Sequence, residues 1–145
     1  MNSRSFQIKI SDVPGATTPS KTTVKLPIHP EVTGIPNTAP ISLLWVIIPP
    51  GLSTGLHNHE LSDEYEYIVS GTGLLEVGQE KDIPVEPEML VFNPQGVMHE
   101  VKNTGKDTMK LLRVHVPPLK PPAGGHLEKA LNDAKAWFAE KKDKR

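Results

Sequence analysis

The chain of 145 residues contains no cysteine, few aromatic residues and no long apolar run. Without cysteine it has neither disulfides nor thiolate metal ligands, so imidazole and carboxylate groups are the strong ligands available. The longest apolar run, residues 41–48, is interrupted by a serine, is followed by two prolines and is too short to cross a bilayer. It is expected to form a buried strand.

The charge balance also excludes several classes of partner. The formal net charge is -1, and acidic and basic residues are mixed along the chain. This mixture provides no field that would hold nucleic acid or an anionic membrane. The amino terminus lacks the apolar segment and the cleavage site of a signal peptide. We therefore expect a cytoplasmic protein that binds a small molecule, and neither nucleic acid nor a membrane.

One domain with a single core is expected from the length, and it divides into three segments. Residues 1–40 form a predicted N-terminal arm with edge strands at 6–10 and 22–26, followed by a proline-rich irregular stretch. Residues 41–118 form the predicted body. Residues 119–145 comprise a Pro/Gly linker and an amphipathic helix, whose narrow apolar stripe favours packing on the body or on a second subunit over a membrane.

Strands and turns alternate throughout the body, with no helix between them. Turn signals recur roughly every 8 to 12 residues, which is typical of an antiparallel sandwich or barrel. The predicted strands are residues 41–48, 65–70, 74–77, 85–91, 99–101 and 109–116.

A pair of histidines indicates a metal site. His57 and His59 stand two positions apart, so both imidazoles point to the same face of an extended segment. Glu64 follows a turn and adds a carboxylate, and a tight turn at Gly96 can aim His99 toward the same interior. Three nitrogens and one oxygen suit Fe, Mn, Ni, Cu or Zn better than Ca or Mg. We expect about one divalent transition metal per chain.

This spacing resembles two motifs of the cupin superfamily. The first motif is matched by Gly51, His57, His59, Glu64 and Gly71, and the second by Pro94, Gly96, His99 and Asn103. The second motif usually begins with glycine, and this chain has Glu88 at that position. This difference affects the local turn and not the ligands.

The resemblance covers roughly residues 41–117 and implies a fold and a function. The implied fold is all-β, a double-stranded β-helix (jelly-roll, cupin) barrel, here followed by a C-terminal helix. Its mouth would hold the metal on His57, His59, Glu64 and His99. The implied activity is that of a dioxygenase, or of an isomerase, epimerase-like enzyme or lyase in sugar or organic-acid metabolism.

Strand parity identifies residues that share the interior with the ligands. If Glu64 points inward, Glu66 and Ile68 do so too, while Tyr65 and Tyr67 face the other way. Glu66 is then a candidate proton carrier, or alternatively a group that orients a ligand histidine or pairs with an arginine.

The last strand leaves two interpretations open. Leu112, Val114 and Val116 alternate with Leu111, Arg113 and His115. The polar face is either exposed to solvent, which is the commoner case, or turned inward. In the interior, Arg113 could clamp a substrate carboxylate and His115 could shuttle protons. The candidate catalytic residues are therefore Glu66, Arg113 and His115.

Other conspicuous side chains have simpler interpretations. Trp45, Phe92 and Met98 are expected to fill the core. His29 lies beside prolines and is interpreted as an exposed loop residue, with a role in a pocket lid as the alternative.

Two classes of function follow from these features. The first is a metal-dependent enzyme acting on a small polar molecule. The second is a non-catalytic ligand- or metal-binding module. A homodimer is also expected, because the proline-rich arm and the amphipathic tail exceed what a lone small barrel needs.

Overall fold

The structure is a computed structural model that describes residues 7–33 and 40–143. Nine β-strands in the described residues form two antiparallel sheets: β1 (Ala16–Thr17), β2 (Thr23–Ile28), β3 (Ser42–Ile48), β4 (Asp63–Ser70), β5 (Gly73–Val77), β6 (Glu80–Val85), β7 (Leu90–Asn93), β8 (His99–Asn103) and β9 (Met109–Val116). The large sheet has the order β1-β2-β3-β9-β4-β7, and the small sheet has the order β6-β5-β8. The helices are α1 (Pro30–Thr33) and α2 (His126–Asp143), and a 3-10 turn spans Ile10–Asp12.

One apolar core lies between the sheets, and strand alternation produces it. On β3 the side chains of Leu44, Val46 and Ile48 are buried while the intervening residues are partly exposed. Leu75 and Val101 contribute to the same core from the small sheet. The all-β jelly-roll fold with a C-terminal helix is therefore confirmed. Five of the six strands predicted for the body lie within two residues of β3, β4, β5, β8 and β9 at each end.

The N-terminal arm differs in part from the prediction. The edge strand predicted at 6–10 is wrong for the described residues, and Phe6 lies outside them. The N–H groups of Asp12 and Val13 bond locally to the carbonyls of Lys9 and Ile10, so this stretch joins no ladder. The run predicted at 22–26 does form β2, which continues to Ile28. Pro27 is accommodated because the register shifts there.

His29 is an internal anchor, so its interpretation as an exposed loop residue is wrong. Only 5% of the residue is exposed. Its Nε2 donates to the carbonyl of Leu119 at 2.8 Å, and its Nδ1 accepts the backbone N–H of Glu31 at 3.1 Å. The imidazole thereby ties the end of β2 to the start of the linker that follows β9.

The strand predicted at 85–91 is also wrong. The chain ends β6 at Val85, turns through residues 86–89 and enters β7, so it crosses from the small sheet to the large one. Pro87 and Glu88 form this turn, and Glu88 has a φ of +74°. Its N–H donates to the Ile68 carbonyl at 3.0 Å. The departure noted at Glu88 thus falls where the backbone needs a left-handed residue, the conformation that glycine adopts without cost.

Helix α2 follows the linker and closes one side of the molecule. Ala130, Leu131, Ala134 and Phe138 are buried in the core shared with β1 and β2. This confirms that the apolar stripe packs on the body. In the part of the chain that the structure describes, no helix is long and apolar enough to span a membrane.

Candidate metal centre

Four side chains from a loop and two strands converge at one end of the core. His57 and His59 lie on the loop between β3 and β4, Glu64 lies on β4 and His99 begins β8. One ligand atom from each residue lies within 4.8 Å of all the others. The structure therefore brings together all four of the predicted ligands.

Backbone hydrogen bonds fix the histidine loop. His57 donates its N–H to the His99 carbonyl at 3.0 Å, and His99 donates to the His57 carbonyl at 2.8 Å. The carbonyl of His59 accepts the N–H of Gly96 at 2.9 Å. Gly96 has a φ of +79°, so this turn requires a left-handed residue. The loop and the start of β8 are thus held in one register.

The imidazole tautomers leave nitrogen lone pairs directed into the centre. The Nδ1 atoms of His57 and His99 donate to the carbonyls of Gly55 (2.7 Å) and Val97 (2.9 Å). Their Nε2 atoms then carry the lone pair. The Nε2 atoms of His59 and His99 are buried without a hydrogen-bond partner, 3.2 and 3.0 Å from Glu64 oxygens.

Lone pairs that face carboxylate oxygens repel one another unless a cation lies among them. This donor set of three nitrogens and one oxygen, with Glu64 and His99 buried and His57 and His59 half-buried, fits a divalent transition metal. The charge states agree with that fit. Burial and the nearby Arg113 charge lower the pKa of His57 to about 3, so its imidazole is neutral. Burial opposes ionisation of Glu64, but the Arg113 charge, the hydrogen bond from His115 and the nearby His59 and His99 imidazoles hold its pKa well below the usual value.

In the metal-free protein, a proton can occupy the ligand atom of His99. Burial lowers the pKa of His99, but the Glu64 carboxylate more than offsets this effect and the pKa is raised. A metal that binds here would displace that proton, so metal affinity is expected to rise with pH.

Asn93 supports two carboxylates behind the ligands, and sequence reasoning missed it. Its Nδ2 donates to Glu64 Oε2 at 2.6 Å and to Glu66 Oε2 at 2.9 Å. Asn93 ends β7 directly opposite Glu64 and is almost fully buried. Its position beside Pro94, within the second motif, was the signal that could have revealed it.

Glu66 points inward, as parity predicted, but it is not free. Glu66 is fully buried, and its Oε1 accepts a hydrogen bond from Arg113 Nε at 2.5 Å. With Asn93 on Oε2, both carboxylate oxygens have partners. The arrangement corresponds to the interpretation in which Glu66 pairs with an arginine.

Arg113 and His115 face the interior, so the interpretation of their face as solvent-exposed is wrong. Arg113 is 3% exposed and His115 is fully buried. They lie directly across the ladder from Glu66 and Glu64, respectively. His115 Nε2 donates to Glu64 Oε1 at 2.8 Å, and burial lowers the pKa of His115. Leu112, Val114 and Val116 face outward instead, while Met109 and Leu111 share the buried side with Arg113 and His115.

Three residues predicted to fill the core do not enter it. Phe92 is 50% exposed and Met98 is 38% exposed, while Trp45 is partly exposed on the outer side of β3. On β3, for example, Trp45 lies at an outward position, and the neighbouring Leu44 and Val46 point into the core in its place.

A cavity of about 570 Å³ opens beside the ligands. His57, His59 and Arg113 line it, whereas Glu66 and His115 do not. Arg113 Nη2 is buried and has no hydrogen-bond partner. The apolar part of the wall comes from β2, β3, the linker and α2, through Val24, Leu44, Val46, Leu119 and Leu127. The volume suits a small molecule.

Comparison with protein families supports the resemblance read from the motifs. Residues 44–115 match the profile of the family described as "Cupin domain". An "Oxalate-binding protein" of Thermotoga maritima is 37% identical over 67 residues, which cover 46% of this chain and 54% of that protein. An uncharacterized protein of Methanocaldococcus jannaschii is 35% identical over 77 residues, covering 53% of this chain and 61% of that protein. The chain spans about half the length of the curated relatives it matches.

Solved structures share the fold. A predicted oxalate decarboxylase of T. maritima has a TM-score of 0.65 and 23% identity, covering 77% of this chain and 98% of that one. An oxalate decarboxylase of Lactobacillus farciminis, solved as a formate complex, has a TM-score of 0.65 and 24% identity, covering 76% and 32%. KdgF from Halomonas has a TM-score of 0.62 and 21% identity, covering 78% and 94%. At these identities the likeness concerns the fold alone.

Proposed function

The chain belongs to the cupin superfamily, and on this premise we propose that it binds a divalent transition metal and acts on a small organic acid. The observation that carries the proposal is the position of Arg113. Arg113 lines the same cavity as the candidate ligands His57 and His59, and its buried Nη2 has no hydrogen-bond partner in the described structure.

His57, His59, Glu64 and His99 would hold one Fe, Mn, Zn, Ni or Cu ion per chain. Four protein ligands leave an octahedral ion two positions for a bidentate ligand. When bound, the ion would act as a Lewis acid toward a carboxylate or carbonyl oxygen. His115 and Asn93 hold the Glu64 carboxylate in place, so they are positioning residues.

The buried charges favour a monoanion. Glu64 and Glu66 contribute two negative charges and Arg113 contributes one positive charge, and all three residues are almost fully buried. A divalent cation changes this total from -1 to +1. Because a buried net charge is costly, one carboxylate in the cavity would complete the balance. Arg113 Nη2 would donate to one of its oxygens.

The rest of the acid would lie against the apolar wall of the cavity. Val24, Leu44 and Val46 provide that wall and offer no charge. The oxalate-binding relative, by its printed name, takes an organic acid, which supports this substrate class. The reaction would be that of a dioxygenase, an isomerase or a lyase on such an acid.

A non-catalytic organic-acid-binding module is the second candidate. It is favoured because Glu66 has partners on both oxygens and lies behind the cavity lining. Neither Glu66 nor His115 then reaches a substrate proton directly. If they act in catalysis, Glu66 must do so by positioning Arg113, and His115 by relaying a proton through Glu64.

Metal and carboxylate binding can be tested together by calorimetry. Protein stripped with a chelator and reloaded with one metal would be titrated with hydroxy and keto monocarboxylic acids, and with the dianion oxalate for comparison. We expect binding only to the metal-loaded protein, with loss in the His57→Ala, His59→Ala double variant. Asn132→Ala is the control, since Asn132 is exposed on α2 and does not line the cavity.

The outcomes separate the candidates. Equal carboxylate binding with and without metal would contradict the proposal, and so would equal metal content in wild type and the double variant. Conversion of a bound acid, followed by NMR and oxygen uptake, would identify an enzyme, whereas tight binding without conversion would identify a module. We also propose a cytoplasmic location and a homodimer.

A further inference from the structure

Three residues with linked hydroxyl groups line the cavity at the turn between β1 and β2. The Thr18 hydroxyl lies 2.7 Å from the Thr22 hydroxyl and 2.9 Å from the Ser20 hydroxyl. The Ser20 hydroxyl in turn donates to the Thr54 carbonyl at 3.4 Å. Thr18 and Thr22 are buried and Ser20 is half-buried, and all three line the cavity together with Thr54. We call Thr18, Ser20 and Thr22 the hydroxyl cluster.

The direction of the hydrogen bonds within the hydroxyl cluster is fixed by its last member. Each hydroxyl has one proton to donate and two lone pairs that accept. Ser20 donates its proton to the Thr54 carbonyl, so the Thr18–Ser20 bond takes its proton from Thr18. The Thr18–Thr22 bond then takes its proton from Thr22. All three protons are therefore used inside the protein.

The lone pairs that are left determine what the hydroxyl cluster can offer a ligand. Thr18 accepts the Thr22 hydroxyl and also the Thr22 backbone N–H, at 3.3 Å, so both of its lone pairs are used. Thr22 keeps two lone pairs and Ser20 keeps one. The cluster can thus accept a hydrogen bond from a ligand, but it has no proton to give. It favours a ligand group that donates, and a carboxylate cannot do so.

The hydroxyl cluster lies apart from the candidate metal ligands. Thr54, which accepts from the cluster, donates its N–H to the Val101 carbonyl at 3.0 Å, and His57 donates its N–H to the His99 carbonyl at 3.0 Å. These two carbonyls are two residues apart on β8, a spacing of about 7 Å. In the large sheet, β3 separates β2 from β9, the strand that carries Arg113. The apolar wall of the cavity comes from β2 and β3 and therefore lies between the two polar ends.

Resting on the proposed function, we infer that the cavity takes a hydroxy acid with its two polar groups at opposite ends of the carbon chain. The carboxylate lies at the metal centre and Arg113, and the distal hydroxyl donates to Ser20 or Thr22. A hydroxyl adds no charge, so the balance reached with one carboxylate is kept, whereas a second carboxylate or an ammonium would disturb it. A chain of the length of hexanoate matches the spacing. Ser20 and Thr22 are then residues that determine specificity.

Calorimetry of the metal-loaded protein tests the inference with three acids of one length. They are hexanoate, its analogue with a hydroxyl on the terminal carbon, and the dicarboxylate adipate. The hydroxylated acid should bind about 3- to 10-fold more tightly than hexanoate, the difference expected for one added hydrogen bond. Adipate should bind no more tightly than hexanoate, because its second carboxylate would meet only lone pairs.

Two variants test whether the hydroxyl cluster causes this preference. Thr22→Val and Ser20→Ala should each reduce it, while the affinity for hexanoate and the metal content stay as in wild type. Thr23→Val is the matched control, since Thr23 is the next residue along the chain but does not line the cavity, and it should keep the preference. Thermal unfolding checks that the variants are folded. Ser20→Ala alone decides the matter if the buried Thr22→Val variant is unstable.

Four results would overturn the inference. Equal binding of hexanoate and its hydroxylated analogue would do so and would leave the proposed function standing. Tighter binding of adipate would mean that the far end holds an anion, for which Lys120, also in the cavity lining, is the available cation. A preference that survives both Thr22→Val and Ser20→Ala would mean that another part of the cavity recognises the hydroxyl. Failure of all three acids to bind would remove the proposed function and this inference with it.

Discussion

Arg113 donates through Nε to Glu66 Oε1 at 2.5 Å, while its Nη2, equally buried, has no hydrogen-bond partner in the described structure. One nitrogen of the guanidinium is thus bound to the protein, and the residue also lines the cavity beside the candidate ligands. Burial lowers the pKa of Arg113, but Glu64 and Glu66 raise it by more, so the charge is retained.

Replacing Glu66 should destabilise the fold strongly. Glu66→Gln leaves the Arg113 charge without its bonded anion, and breaking a buried pair in this way typically costs about 3–5 kcal/mol. The Glu66→Gln, Arg113→Met double variant should lose less than the sum of the two single variants. Urea denaturation of the metal-free proteins measures all four corners of this cycle. Additive losses would show that the two residues do not stabilise each other.

Glu64 and Glu66 should differ in their effect on the metal. Glu64→Gln replaces an anionic ligand by a neutral one and should weaken metal binding more than Glu66→Gln, which is expected to act indirectly by roughly 10- to 100-fold. Competition with a chromogenic chelator measures both affinities. Equal losses would mean that Glu66 contacts the ion, and full retention of metal in Glu64→Gln would mean that the assigned ligand set is wrong.

Asn93 should matter to metal affinity although it is not a ligand. Asn93→Ala removes the donor shared by Glu64 and Glu66, so the Glu64 carboxylate loses its orientation, and metal affinity should fall roughly 10- to 100-fold. Asn58→Ala, which changes the same residue type beside the ligands, should change it far less. A variant that is less stable but binds metal as tightly as wild type would count against this role.

The metal-free protein should lose stability as the pH falls below 6.5. The pKa of His57 is about 3 in the folded state and 6.5 as its ordinary value, so over this range the unfolded chain binds a proton that the folded chain excludes. The lowered pKa of His115 acts in the same direction, and the raised pKa of His99 acts in the opposite one. Glu64 contributes stability that is lost only at pH values below its ordinary pKa of 4.5.

A variant isolates the His57 contribution. His57→Gln should lose less stability than wild type between pH 6.5 and 4.5, because Gln does not titrate. Urea midpoints at pH 7, 6 and 5, measured in the presence of a chelator, compare the two proteins. Parallel pH profiles would show that the His57 imidazole titrates normally in the folded state.

The turn at Glu88 should be relieved by glycine. A side chain at φ +74° destabilises the folded state by roughly 1–2 kcal/mol. Replacing it by glycine removes this strain but loses roughly 0.5–1 kcal/mol, because glycine has more conformational freedom in the unfolded chain. Glu88→Gly should therefore stabilise the protein by about 0.5–1 kcal/mol. Glu86→Gly, at the neighbouring exposed position without a positive φ, should destabilise it. Thermal unfolding of the two variants decides whether the strain is real.

The local pattern determined most of the strands and the orientation of β4. Glu64, Glu66 and Ile68 face inward and Tyr65 and Tyr67 outward because side chains in a strand alternate with a period of two, whatever surrounds them. The four candidate ligands could be named for a similar reason, since no cysteine competes and their spacing matches a known motif. Their roles as ligands remain predictions.

The pattern could not assign the faces of β9, and only the tertiary structure decided them. Leu112 and Val114 look like core residues, yet they lie outside, because Glu64 and Glu66 on the adjacent strand need Arg113 and His115 opposite them. A buried charge must find its partner, and that requirement outweighs the burial of a few aliphatic groups. The sequence alone determined that Leu112, Val114 and Val116 share one face of β9 and that Arg113 and His115 share the other. The pairing of β9 with β4 decided that the face with Arg113 and His115 turns inward, and it left Tyr65 and Tyr67 exposed on the outer side of the sheet.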